Sequence, residues 1–287
     1  VSGVGAVGEP ARRTPLLAET EVLVLGGGPA GMAAAASAAA AGRAVLLVER
    51  YGFLGGMGTA AGVTNFCGLH ANVHGEMKRV VHGVVDELLH RIHALGGLNE
   101  PHSLFGRTLA QAYDGAAYKC AADEMLLGRG ARLLFHAQAA GVAMHDEAHI
   151  DALLVETRSG RRAIRAQVFI DASGDGDLLA WAGAPWALGD AQGELLYPTL
   201  MFRVAGVDDA RAGEAWQEVG PCMAEAQRSG RHRFARHGAI LRPMKHAGEW
   251  RVNVTQIGNG AGRAMDGTDA LQLSAGEIEG RRQVREF

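Results

Sequence analysis

The chain has 287 residues, 48% hydrophobic and 21% charged, an ordinary globular balance with length for one large domain or two smaller ones. Its formal net charge of −3 gives no field that would gather nucleic acid or anionic lipid, and no run is long and apolar enough to span a membrane. Its three cysteines, Cys67, Cys120 and Cys222, are scattered without a C-x-x-C, which excludes a disulfide framework or zinc ribbon and predicts reduced, buried or partly buried thiols in a cytoplasmic protein.

Residues 1–20 read as a loose leader with Gly and Pro; Glu19 and Glu21 break any signal-peptide core after Arg12 and Arg13. Glu21 to Leu25 reads as a buried strand closed by glycine. A helix follows from Pro29 to Ala41, with Pro in its first turn and Gly42 as its stop, and Ala44 to Glu49 is the next buried strand. Strand, helix and strand in that length make one βαβ unit with a parallel pair.

Gly52 to Gly75 reads as glycine-rich loop, and Met77 to Leu95 as an amphipathic helix with Val80, Val84, Leu88 and Ile92 at fourfold spacing. A helix over Ala116 to Leu127 and a strand over Arg132 to Phe135 come next. Ala139 to Asp171 alternates as a three-stranded antiparallel meander that runs on into "VFIDASGDGD". Gly183 to Leu196 reads as a crossover. "PTLMFRVAGV" and "EWRVNVTQI" read as strands of a smaller α+β domain, with a helix near Ala212 to Ser229 between them, and Asp269 to Phe287 begins a helix.

Gly26, Gly28 and Gly31 fit G-x-G-x-x-G after a strand and before a helix. In a dinucleotide turn the first glycine permits the sharp bend, the second admits a pyrophosphate, and the third lets helix and sheet pack closely. The helix N-terminus offers free N–H groups to phosphate. Glu49 ends the second strand, at the spacing of a ribose-binding acid, and its charge would repel a 2′-phosphate. Two further stretches suit an extended cofactor: "ERYGFLGGMGT" from Glu49 to Thr59, and "VFIDASGDGDLLAWAGA" from Val168 to Ala184.

With these blocks in order, and "AGEIEGRRQ" near the end, the sequence resembles the FAD-dependent oxidoreductases of the glutathione-reductase-like superfamily, and within them the bacterial group related to heterodisulfide reductase. The resemblance implies an α/β fold: a Rossmann-like FAD-binding domain with a parallel sheet and three-stranded antiparallel meander over 21–185, a smaller α+β substrate domain over 186–265, and over 266–287 the start of a helix leading back to the FAD domain. It implies that Gly26, Gly28, Pro29, Ala30 and Gly31 cradle the pyrophosphate. Glu49 would hold the adenosine ribose, Arg50 would lie on the adenine side, and the backbone of Ala139 would meet the adenine. Gly55, Gly56 and Thr59 would pass near pyrophosphate and flavin. Ala172, Ser173, Gly174 and Asp175 match the block where the chain re-enters the cofactor domain.

In the family a further segment follows the last helix and returns to the flavin. The chain starts on Val1 and ends at Phe287 without it, so the sequence is expected to be a fragment that binds FAD weakly or not at all. Relatives on the heterodisulfide reductase side carry a [4Fe-4S] cluster, but three isolated cysteines cannot supply its four ligands within one chain.

For chemistry, "TNFCGLHANVHG" offers His70 as a proton donor or acceptor beside the flavin and Cys67 as a redox partner, against the blander reading of a polar loop with a buried thiol. "RSGRHRFARH" reads as a solvated helix end rather than a nucleic-acid patch, and Lys245, Arg251 and Asn253 could meet an acidic substrate or serve structural pairing. The reading is thus a flavoenzyme moving hydride or electrons between FAD and a small-molecule substrate, with a homo-oligomer left open. The rivals are an NAD-dependent dehydrogenase and a non-catalytic nucleotide-binding remnant.

Overall fold

The structure is a computed structural model that describes residues 5–104, 108–213 and 215–287. Strand β1 (Leu16–Leu25) leads through a glycine turn into helix α1 (Pro29–Ala40) and strand β2 (Val45–Val48). β1 begins earlier than its apolar run, because Leu16 to Thr20 pair alongside a later strand in the same sheet. Part of the expected leader is therefore sheet.

The segment from Gly52 to Gly75 is more ordered than its composition suggests. It holds β3 (Asn65–Cys67) and β4 (His70–Val73), and β4 forms a hairpin with β5 (Glu76–Arg79). That hairpin overturns the expected helix over Met77 to Leu95, of which only α2 (Val84–Ala94) forms. The physical reason lies in Leu69 and Gly83. The Leu69 carbonyl accepts from the N–H groups of Val80 and Val81, at 2.9 and 3.3 Å, which holds them outside any helix. Gly83 then takes φ +89°, and its N–H donates to the Asp86 carboxylate at 2.8 Å, which caps α2. Val80 is exposed, while Leu88 and Ile92 keep the buried stripe.

β6 (His102–Leu104) and β7 (Thr108–Ala112) pair beside β3 in a three-stranded sheet of order β3-β7-β6. Helix α3 (Gly115–Gly128) and strand β8 (Arg132–Leu134) follow, then the meander β9 (Gln138–Met144), β10 (Ile150–Thr157) and β11 (Gly160–Asp171). The central sheet has six strands in the order β8-β2-β1-β11-β10-β9. Its β8, β2, β1 and β11 run parallel, and β10 and β9 add antiparallel. The meander is thus the far half of the Rossmann-like sheet, joined through β11.

Burial on both faces of this sheet explains why β1 and β2 read as unbroken apolar runs. Val22, Val24, Val45 and Leu47 face α1, α2 and α3. Leu23, Leu25, Leu46 and Val48 face the other way, onto Leu153, Ile164 and Leu178. Alanines at 35 and 36 let α1 lie close to the strands.

After α4 (Asp177–Trp181), residues 182–201 run without regular structure. The second unit holds β12 (Phe202–Ala205), α5 (Asp209–Ala212), α6 (Ala215–Arg228), β13 (Ile240–Pro243) and β14 (Glu249–Asn253), followed by α7 (Ala270–Glu286). Its sheet has the order β12-β14-β13; β13, four residues ending in proline, had no sequence signal. Phe202, Leu241 and Val252 share one face and pack with Met223 of α6.

Leu47 is fully buried in the middle of the parallel sheet. Leu47→Ala should cost about 2–5 kcal/mol, read as a lowered denaturation midpoint at unchanged slope.

Candidate functional site

At the end of β1, Gly26 turns with φ +101°, and its N–H donates to the Val48 carbonyl at 2.8 Å. A Cβ there would sit 2.2 Å from the Ala172 oxygen, so the bend fits between β2 and β11 only without a side chain. At Gly31 a Cβ would sit 1.8 Å from the Gly26 oxygen, which shows α1 seated directly on the turn.

Gly28 is different. Its φ of −73° suits any residue, and a Cβ would come no nearer to another part of the protein than 3.8 Å, from Gly56 Cα. Packing within the protein gives no reason for a glycine, so the free space is a cradle that a Cβ would fill. α1 begins beside it at Pro29 and Ala30, with no side-chain cap and no acid in its first turn. The positive end of its dipole is left for a ligand.

Glu49 lies at the floor of the site, 6% exposed. One carboxylate oxygen accepts from Gly27 N–H at 2.6 Å and the other from Tyr51 N–H at 2.9 Å. Its backbone bridges two neighbours, donating to Leu134 O and accepting from Ala137 N–H. A carboxylate has about four acceptor positions, so two remain for other donors. Arg50 next to it is exposed, its guanidinium 5.1 Å from the Tyr51 ring centroid.

The second glycine cluster closes over the turn. Gly55 N–H donates to Gly27 O at 2.8 Å, and Gly56 lies against Gly28. Thr59 turns inward, its hydroxyl donating to Leu54 O at 2.7 Å, and so fixes its own loop. On the third side Ala172 N–H donates to Leu25 O at 2.8 Å. Ser173 Oγ accepts from the N–H groups of Asp175, Gly176 and Asp177, and the Asp171 carboxylate accepts from Ser173 and Leu179. Gly174 turns this loop with φ +91°.

The structure therefore brings most of the expected cofactor residues to the carboxyl ends of β1, β2 and β11. A cleft there is bounded by Gly26, Glu49, Arg50, Ala139, Ser173 and Asp177. Sequence reasoning missed Ala137, Gln138 and Asp177. Asp177 had a signal, as the acid directly after Gly176, but Ala137 and Gln138 enter by strand register alone. Cys67 and His70 stand elsewhere. Cys67 ends β3, and His70 opens β4, where its carbonyl accepts from the Thr108 hydroxyl at 2.9 Å. The expectation of buried thiols is corrected: Cys67, Cys120 and Cys222 are free and exposed, at a short strand's end and on two helices. Among the described residues no group of three His, Cys, Asp or Glu could hold a metal ion, and no helix is long and apolar enough to cross a membrane.

Residues 21–287 match the family described as FAD dependent oxidoreductase. The chain belongs to this family. No curated protein matches its sequence. Among solved structures it is similar to CabE, an aromatic hydroxylase from angucycline biosynthesis, at 17% identity over 91% of this chain and 48% of that one, with a TM-score of 0.53. It is also similar to BexE, described in connection with oxidation during BE-7585A biosynthesis, at 17% identity over 82% of this chain and 43% of that one, with a TM-score of 0.50. At such identity the likeness is one of fold, and the chain spans about half the length of each. The family's cofactor, FAD, suits this site: Gly28 leaves room, the start of α1 offers N–H donors, and Glu49 retains acceptor capacity.

Burial, and then the charges of Asp175 and Asp171, raise the pKa of Asp177 above the ordinary value of 3.8. The folded state then holds a proton over a range where the unfolded chain has lost it, so stability falls as pH rises through that range. Asp177→Asn should raise the thermal midpoint at pH 7, and the gain should vanish below pH 3.8, where both side chains are neutral.

Proposed function

We propose that this chain forms the cofactor-binding part, with some of the substrate-facing part, of an oxidoreductase that uses FAD to oxidise or reduce a small organic molecule. The observation that carries the reading is the open cradle at Gly28, set between the N-terminus of α1 and the second glycine cluster, with Glu49 buried beneath it. When bound, FAD would supply hydride or electron transfer.

In this reading Gly26, Gly28, Gly31 and the first turn of α1 at Pro29 and Ala30 hold the diphosphate by backbone donors. Glu49 accepts from ribose hydroxyls with the lone pairs that Gly27 and Tyr51 leave free. Arg50 and the backbone around Ala139 flank the adenine end, where the cleft lies. Gly55 and Gly56 extend the cradle, Thr59 keeps their loop in shape, and Ala172, Ser173, Gly174 and Asp175 form the wall contributed by β11. His70 and Cys67 are proposed as flavin-side groups for moving a proton and for redox partnership. Supporting this, Cys67 shares a cavity with Met57 and Gly58, which directly follow Gly56. The affiliation with the heterodisulfide reductase group rests on the "IDASGDGDLLAWAGA" block, which forms the end of β11 and α4. A cytoplasmic setting, a small-molecule substrate and assembly into a homo-oligomer belong to the same proposal.

Titration of the purified chain with FAD, followed by quenching of flavin fluorescence, tests the reading. Gly28→Val should leave the thermal midpoint unchanged, because nothing in the protein occupies that space. It should weaken FAD binding by about tenfold to a hundredfold, the equivalent of 1–3 kcal/mol of overpacking. Equal FAD affinity in both proteins, or tighter binding of NAD than of FAD by the unaltered chain, would overturn the proposal.

A further inference from the structure

The second sheet carries a row of arginines. In its register Arg203 of β12, Arg251 of β14 and Arg242 of β13 are direct cross-strand partners, so all three lie on one face, opposite Phe202, Val252 and Leu241. Like charges placed directly opposite one another repel. Arg203 relieves its part at the exposed edge by pairing with Glu249 at 3.5 Å. The inner two are 8% and 7% exposed, at Arg251 and Arg242. Arg242 donates to the Leu241 carbonyl at 2.7 Å. Among the described residues Arg251 has no acidic partner, and its Nε is buried with no acceptor.

What faces this pair comes from the other sheet. Cys67 and Tyr113 lie within electrostatic reach of Arg251. His102 of β6 lies within reach of both arginines, with its Nε2 also buried and unpartnered. Burial, and then the two guanidinium charges, hold the His102 imidazole below its ordinary pKa, so it adds no third cation. Cys67 and Tyr113 are shared with a cavity of about 510 Å³ whose walls include Phe66, Leu69 and Met125. Into that largely apolar cavity comes Asn65, 4% exposed, with neither its amide oxygen nor its nitrogen bonded. A buried guanidinium without an anion is costly, and a planar fork of N–H donors matches a carboxylate in shape and charge.

We propose that the Arg251–Arg242 pair binds the carboxylate of an organic acid whose apolar body enters the cavity beside Phe66 and Tyr113, where Asn65 meets a polar substituent. That this acid is the molecule oxidised or reduced rests on the flavin reading above. The anion site itself does not, and it can be tested without FAD.

Iodoacetate and iodoacetamide alkylate a thiolate by the same displacement of iodide, and one carries a carboxylate while the other is neutral. Any cation that activates the Cys67 thiolate speeds both reagents, so the ratio of their rates isolates recruitment of the anion. Rates are read at each cysteine by peptide mass spectrometry, with Cys120 and Cys222 as internal references. The ratio at Cys67 should exceed that at the other two by about tenfold. It should fall to their level in Arg251→Gln and be largely kept in Arg251→Lys, with thermal midpoints confirming that both variants fold. Sodium benzoate should slow alkylation of Cys67, and sodium phosphate at equal ionic strength should not. Equal ratios at all three cysteines in the unaltered chain would overturn the anion site. Equal protection by phosphate would overturn the assignment to an apolar organic acid. A flavin-binding failure would leave both readouts unaffected, so the two proposals fail separately.

Discussion

The carboxylate of Glu49 is buried where three strands end, and what it bonds decides the shape of the cofactor cleft. It holds the N–H groups of Gly27 and Tyr51, one on each side of the parallel pair β1 and β2. A hydrogen bond to a charged acceptor contributes about 1.5–3 kcal/mol, and leaving a buried carboxylate without donors would cost several kcal/mol. The glycine turn and the end of β2 are therefore fixed relative to each other before any ligand arrives. Gly55 then ties the second loop to the carbonyl of the same Gly27, and Ala172 ties β11 to β1. The cleft is a set of backbone groups held in place around one buried charge.

The first half of the fold could be read from sequence because its signals are local. A strand buried on both faces is a continuous apolar run, and a turn that cannot carry a Cβ must be glycine. A helix lying against that turn must be small along its inner face, as Gly31, Ala35 and Ala36 are. The misread helix shows the limit of periodicity. Val80 fits the spacing of Val84, Leu88 and Ile92, yet the bonds to Leu69 and the bend at Gly83 put it in a different element. Four-residue spacing says which residues could share a face; it does not say where the backbone hydrogen bonds go.

The second unit was less legible because its defining features are non-local. β13 is short and ends in proline, so it gives no pattern of its own; it exists through pairing with β14. Arg251 could be named from sequence as a cation near a strand. That it is buried, that Arg242 lies directly across from it, and that Tyr113 and Cys67 face it all depend on register and on the order β12-β14-β13. Asn253, named beside it, is occupied within the protein by Arg236 and Thr199.

Two ways of receiving an anion therefore stand in one chain. At the glycine turn the donors are backbone N–H groups and a helix end, with no formal charge, and the nearby formal charge is the negative one of Glu49. That arrangement favours an extended ligand carrying both phosphate and hydroxyl groups, since each finds its own partner. At the arginine row the charge is formal, buried and concentrated, and the neighbouring cavity is largely apolar. That arrangement favours a compact anion with an apolar body and disfavours a solvated one, because only the former gains from both surfaces. The net charge of −3 foreshadows neither, since it sums over a surface on which most ions pair with close neighbours. Charge selectivity in this protein is set by which few groups the fold removes from water, and those are chosen by strand register.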